Sequence, residues 1–230
     1  MEIEQIRVLL LVLMLGIAGI FDVKSRKIPD VIWMVFGGIG VALYAWDYEN
    51  VTSYHVIAII TSVFVGIVIW RWNITGLADS FAVFAMAVIL PVHYEFVMMP
   101  IVVLIAALFL VAIIVTLYNV SLNIFDILRS KKINVFSEFK SESKYKKIFA
   151  FFAVHRKRKY ERFVISTEYS ISITPGIKSF VFVSLRNNVT GAKKIKSRET
   201  YVQNVPPLIF YMFGVTTFLL LPEILSVFLN

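Results

Sequence analysis

"RVLLLVLMLGIAGIFDVKSRKIPDVIWMVFGGIGVALYAW", residues 7–46, decides the class of fold. Two apolar runs flank a short basic connection, 23–29, that holds Lys24, Arg26 and Lys27. Each run approaches the ~20 residues that cross a bilayer as a helix. Pro29 suits the start of the second helix, where a missing N–H costs nothing. The stretch reads as two transmembrane helices joined by a cationic turn. The residues before it include Glu2 and Glu4 and lack the basic region of a signal peptide, so the first run reads as a retained helix.

The same pattern recurs along the chain. Spans are expected at about 6–22, 30–47, 54–72, 76–92, 95–118 and 206–228. The 230 residues are 59% hydrophobic with a mean hydropathy of +0.80, against about 45–50% apolar residues in soluble domains. The expected fold is an α-helical polytopic membrane protein with six transmembrane helices. A small mainly-β (α+β) cytoplasmic domain is inserted before the last helix. The domains are 1–118, 119–205 and 206–230. The fourth span, from Gly76 to about Val92, reaches only ~25 Å at 1.5 Å per residue, short of a ~30 Å hydrocarbon core. The chain has no cysteine, which excludes disulfides and thiolate metal sites.

Charge is unevenly placed. Segment 119–205 holds 18 of the 23 lysines and arginines and six acids, a net charge of +12. With the 23–29 connection and Arg71, this puts the basic connections on the cytoplasmic side and both termini outside. Lys24, Arg26 and Lys27 are most simply topology anchors. The location is the cell membrane, crossed several times. Within the segment, "SKYKKIFAFFAVHRKRKYERF" mixes cations with Phe149, Phe151 and Phe152, the pattern of a helix lying on anionic lipid. "RFVISTEYSISI" and "KSFVFVSL" read as strands around a Thr174-Pro175-Gly176 turn, and "KSRETYVQNV" as a further strand. Of four Asn-x-Ser/Thr triplets, at Asn50, Asn73, Asn119 and Asn188, only Asn50 falls outside in this topology. His55, His93 and His155 are scattered, make no metal-ligand spacing and read as interfacial or surface residues.

Acids are rare within the first five spans, so Asp22 and Asp79 stand out. Asp22 closes the first span and Asp79 opens the fourth, and both fall on the cytoplasmic side. An ionised carboxylate at membrane depth costs a few kcal/mol unless it meets water, a donor or a proton. Two carboxylates at one site share a proton and titrate as a unit. One can act as base toward water while the other donates to a carbonyl oxygen, which is peptide hydrolysis without metal or covalent intermediate. A plainer reading stands beside this: Asp22 as an interfacial residue among cations, Asp79 as a helix-start residue favoured by the dipole. Gly76 and Ala78 equally suit close helix packing.

Two further signals favour the paired reading. Asp22 is followed after five residues by Ile28-Pro29, and Asp79 ends "GLAD", Gly76 to Asp79. This resembles type IV prepilin peptidases and archaeal preflagellin peptidases, whose first catalytic aspartate precedes such an Ile-Pro and whose second ends a Gly-x-Gly-Asp motif. The resemblance covers about 1–118. It implies an intramembrane aspartyl endopeptidase with Asp22 and Asp79 as catalytic residues, and Gly76, Ala78, Ile28 and Pro29 as motif support. The implied substrate is a membrane-inserted preflagellin- or prepilin-like precursor of the archaeal flagellum type, cut at its short basic leader. No cofactor, metal or nucleic acid is implied. The chain departs in having Ala78 where the family has Gly; a backbone with φ > 0 there would disfavour Ala. It also lacks the cysteines of the bifunctional bacterial enzymes and is nearer to the preflagellin branch.

Two other classes remain open from the sequence. Paired membrane carboxylates serve proton-coupled transporters, although no internal repeat is visible here. A membrane-anchored binding protein would act through its basic domain.

Overall fold

The computed structural model describes residues 3–72, 75–93, 96–130, 136, 139, 142–157, 164–166, 168–170, 178–180, 193–194, 200–204 and 206–229. The chain is mostly helical with small antiparallel sheets. Among the described residues, three helices are long and apolar enough to cross a membrane, four when a bent pair is taken as one span. The chain divides into two compact units, Met1–Val111 with Pro207–Asn230, and Ala112–Pro206.

The first unit holds α1 (Ile3–Ser25), α2 (Asp30–Trp46), α3 (Ser53–Trp72), α4 (Leu77–Ile89) and the start of α5 (Met99–Ser130). The closing helices of the chain, α7 (Leu208–Leu219) and α8 (Leu221–Leu229), also belong to it. Large apolar side chains such as Val31, Met34, Ile39, Ile60, Phe64 and Phe109 are exposed on its helices. Water would not tolerate so much apolar surface, whereas lipid would.

α4 occupies the middle, packed against α1, α2, α3 and α7. Ala82, Val83, Ala85, Met86, Ala87 and Ile89 are all buried, as in a helix apolar on every side. Glycines let its neighbours approach. A methyl on Gly40 of α2 would sit 3.2 Å from the Val88 carbonyl oxygen, and one on Gly66 of α3 would overlap the Phe84 ring. α4 has 13 residues, which is ~20 Å of helix. It stops at Leu90 before Pro91, and the chain turns back through the two-stranded pair β1 (Val92–His93) and β2 (Phe96–Val97). Non-helical backbone at such a place is tolerable where protein shelters it.

Four of the six expected spans differ from expectation: α2 and α4 are apolar but shorter than the helices long enough to cross a membrane, and two others differ in extent. The expected fifth span ends at 118, but α5 is a continuous helix to Ser130. Residues 119–130 hold no Gly or Pro to stop the helix, and Leu122, Leu128 and Arg129 are strong helix formers. The expected single sixth span is two helices bent by 68°. Pro222 explains the break, since it supplies no N–H and its ring clashes with a continuing helix.

The second unit contains the rest of α5, then α6 (Lys144–Ala153), β3 (Val154–Lys157), β4 (Val164–Ser166), β5 (Glu168–Ser170), β6 (Lys178–Phe180), β7 (Lys193–Lys194) and β8 (Thr200–Asn204). Among the described residues they form two three-stranded antiparallel sheets, ordered β3-β8-β4 and β6-β5-β7. The stretch "RFVISTEYSISI", read as one strand, holds two, β4 and β5, which belong to different sheets; "KSFVFVSL" holds β6 and "KSRETYVQNV" holds β8, while the Thr174-Pro175-Gly176 turn lies outside the described residues. The surface helix is shorter than its basic stretch, because the β-branched Val154 and the residues after it join β8 as β3.

This unit's core joins Phe136, Phe139, Ala150, Val154 and Tyr201. Asn119 and Asn123, one turn apart on α5, tie the helix to it. The Asn123 side-chain amide donates to the carbonyls of Phe151 and Val154 at 2.8 Å each. Asn119 donates to Phe152 O at 3.1 Å and accepts from Asn204 at 2.9 Å.

Candidate active site

α1 ends where its chain leaves the helix at Arg26, whose φ is 58°. A left-handed backbone costs roughly 1 kcal/mol for a residue with a Cβ. Arg26 gains in return a bond from its guanidinium to Asp22 Oδ1 at 3.2 Å. The spacing is i, i+4, so both side chains lie on one helix face. Asp22 is 6% exposed. Its other oxygen, Oδ2, accepts the backbone N–H of Ile209 at 3.1 Å. Ile209 lies in the first turn of α7, after Pro207, so Asp22 meets N–H groups that have no partner within that helix. Ile28 packs partly buried against the apolar core, and Pro29 precedes α2 with φ −62° and ψ 131°.

Asp79 opens α4 and is 9% exposed. Its Oδ2 accepts the backbone N–H of Gly76 at 2.7 Å, while the Asp79 N–H donates to the Gly76 carbonyl at 3.1 Å. The carboxylate therefore folds back over the start of its own helix, where the dipole favours negative charge. Gly76 has an ordinary φ of −74°, so conformational freedom does not explain the glycine. Space does: a methyl there would come within 3.2 Å of Asp79 Oδ2. Ala78 is the second residue of α4 and packs partly buried against the core. It is not among the residues with positive φ, so Ala fits where a left-handed backbone would have required Gly.

The end of α1 and the start of α4 lie together. Asp22 and Arg26 are both near enough for their charges to act on Asp79. The structure thus brings Asp22 and Asp79 to one end of the first unit, with Gly76 at the second carboxylate. It adds two groups that the sequence does not assign to the site. Arg26, a topology anchor by charge, is also the partner of Asp22, and its i, i+4 spacing is the signal of that pair. The Ile209 N–H comes from a residue 187 positions away and has no sequence signal.

Compared with protein-family models, curated proteins and solved structures, the chain matches none. Function therefore rests on the residues themselves.

A second polar cluster lies toward the other end of α1. A cavity of about 300 Å³ is lined by Glu4, Arg7, Tyr44, Asp47, His55 and His93, among others. Arg7 is 6% exposed, stacks 3.7 Å from the Tyr44 ring centroid and donates to the Ile89 carbonyl at 3.3 Å. His93 touches Glu4 at 3.2 Å and Glu223 at 3.1 Å. His93 and His155 are buried, which corrects the surface placement expected of them. His93 sits between carboxylates, and His155 Nδ1 is 2.9 Å from Asn119 Oδ1. Among the described residues no group of three or more His, Asp or Glu is arranged to hold a metal ion.

Proposed function

We propose that this chain is an intramembrane aspartyl endopeptidase of the preflagellin and prepilin peptidase type. It removes the short basic leader of a membrane-inserted precursor. The observation that carries this reading is the placement of two buried carboxylates, Asp22 and Asp79, at one end of the helical unit and within reach of each other's charge.

The chemistry follows from the pair. One carboxylate, ionised, takes a proton from a water that attacks the scissile carbonyl carbon. The other, protonated, donates to the carbonyl oxygen. When the tetrahedral species collapses, the proton taken from water passes to the leaving amine. Arg26 and the α7 start position Asp22, and the Gly76 N–H positions Asp79. A substrate enters as an extended strand, because a helix hides its amides in its own hydrogen bonds.

In this reading α1 to α5 and the bent α7–α8 pair make six crossings. α2 and α4 are short, and α4 is sheltered by its neighbours. The basic connection after α1 and the +12 segment put the aspartates and the 119–205 domain in the cytoplasm, with both termini outside.

The test is direct. The purified full chain, reconstituted in lipid, is incubated with a preflagellin-like precursor, and the products are read by mass spectrometry. A single cut releasing the basic leader supports the assignment. An intact precursor, with the chain folded and the precursor inserted, contradicts it.

A further inference from the structure

α6 is a ten-residue helix with two unlike faces. Ala150 and Phe151 turn inward, against the cluster of Phe136, Phe139, Val154 and Tyr201. Tyr145, Ile148, Phe149 and Phe152 are exposed by 85%, 58%, 58% and 45%. Their spacing, i, i+3, i+4 and i+7, makes one apolar stripe along the helix. A lone exposed hydrophobe is ordinary, but a stripe of four large ones has a partner.

Charge and position identify that partner. Lys144 flanks the stripe and is exposed, in a segment whose net charge is +12. The last turn of α6 is pinned to α5: the carbonyls of Phe151 and Phe152 accept from Asn123 and Asn119. Met99 to Asn119 is ~30 Å of helix, the thickness of a bilayer's hydrocarbon core. α6 is thus attached to α5 close to where an apolar helix of that length leaves the lipid. α5 itself keeps Ile124, Phe125 and Leu128 exposed beyond that point.

We propose that α6 is an interfacial helix. Its Tyr145, Ile148, Phe149 and Phe152 side chains enter the headgroup–acyl boundary of the membrane, and Lys144 meets the phosphates of anionic lipid. This placement is independent of the proposed protease activity.

The chain has no native cysteine, so single cysteines can carry spin labels in the intact protein. Labels are placed at Tyr145→Cys and Phe149→Cys, at Lys147→Cys on the opposite side of α6, and at Ile105→Cys on the exposed face of α5 as a lipid reference. The protein is reconstituted in vesicles of phosphatidylcholine, with or without phosphatidylglycerol. Collision of each label with oxygen and with a water-soluble nickel chelate is then measured. The expected result is a several-fold preference for oxygen at 145 and 149 over 147, stronger with phosphatidylglycerol. Equal nickel access at 149 and 147 overturns the proposal. So does protection of 149 from both reagents, which means that protein covers the stripe. A preference unaffected by phosphatidylglycerol overturns the anionic-lipid part.

Discussion

The Asp22 carboxylate accepts the backbone N–H of Ile209 at 3.1 Å, across 187 positions of sequence. Through this bond the end of the first helix meets the start of α7. The candidate site therefore takes a hydrogen-bond donor from the closing helices of the chain. Removing residues 207–230 should abolish activity even though both aspartates remain. Co-expression of 207–230 as a separate peptide should restore part of it, read by precursor cleavage.

The pair needs one proton between its two carboxylates, so cleavage should pass through a maximum with pH. On the acid side the general base is lost; on the alkaline side the general acid is lost. A rate that rises steadily without a descending limb would argue against paired-carboxylate chemistry.

Gly76 and Ala78 should respond in opposite ways. Gly76→Ala crowds Asp79 Oδ2, and is expected to lower kcat about tenfold, since misplacing a catalytic group slightly is costly. Ala78→Gly stands at a helical position, so it should cost about 0.5–1 kcal/mol of stability and leave kcat within a few-fold. Parallel kinetics and thermal unfolding in one detergent separate the two.

The contact of Gly66 with Phe84 sets how α3 packs on α4. Gly66→Leu should destabilise the first unit by about 1–3 kcal/mol through overpacking. Adding Phe84→Ala should recover part of that loss, and a double-mutant cycle on Tm measures the coupling.

Asn123→Leu leaves the carbonyls of Phe151 and Val154 without their 2.8 Å donors. The expected cost is about 2–4 kcal/mol, the desolvation of two orphaned acceptors. Limited proteolysis should then cut first within 142–157, ahead of α1 to α4.

The helical membrane character is legible because it rests on composition and on runs such as 7–46, which local sequence states outright. Strands in three stretches are legible from β-branched and aromatic runs, but not the division of the first of them between β4 and β5. Helix ends are harder. α5 runs on to Ser130 because nothing in 119–130 stops it, while polarity alone suggests an end at 118. The break between α7 and α8 is signalled by Pro222, a residue masked by the surrounding hydrophobicity. At the candidate site, the two aspartates stand out because acids are rare in apolar runs. Arg26 is obscured by its part in the charge bias, although its spacing from Asp22 is in view. The Ile209 donor, and the burial of His93 and His155, depend on long-range packing that no local pattern encodes.

The central claim is that Asp22 and Asp79 perform the cleavage. The most direct measurement is precursor cleavage by Asp22→Asn and by Asp79→Asn, each reconstituted alone and each checked for a native-like thermal transition. Both variants are expected to fold, and neither is expected to release the leader. Cleavage at the parent rate by either variant would contradict the claim.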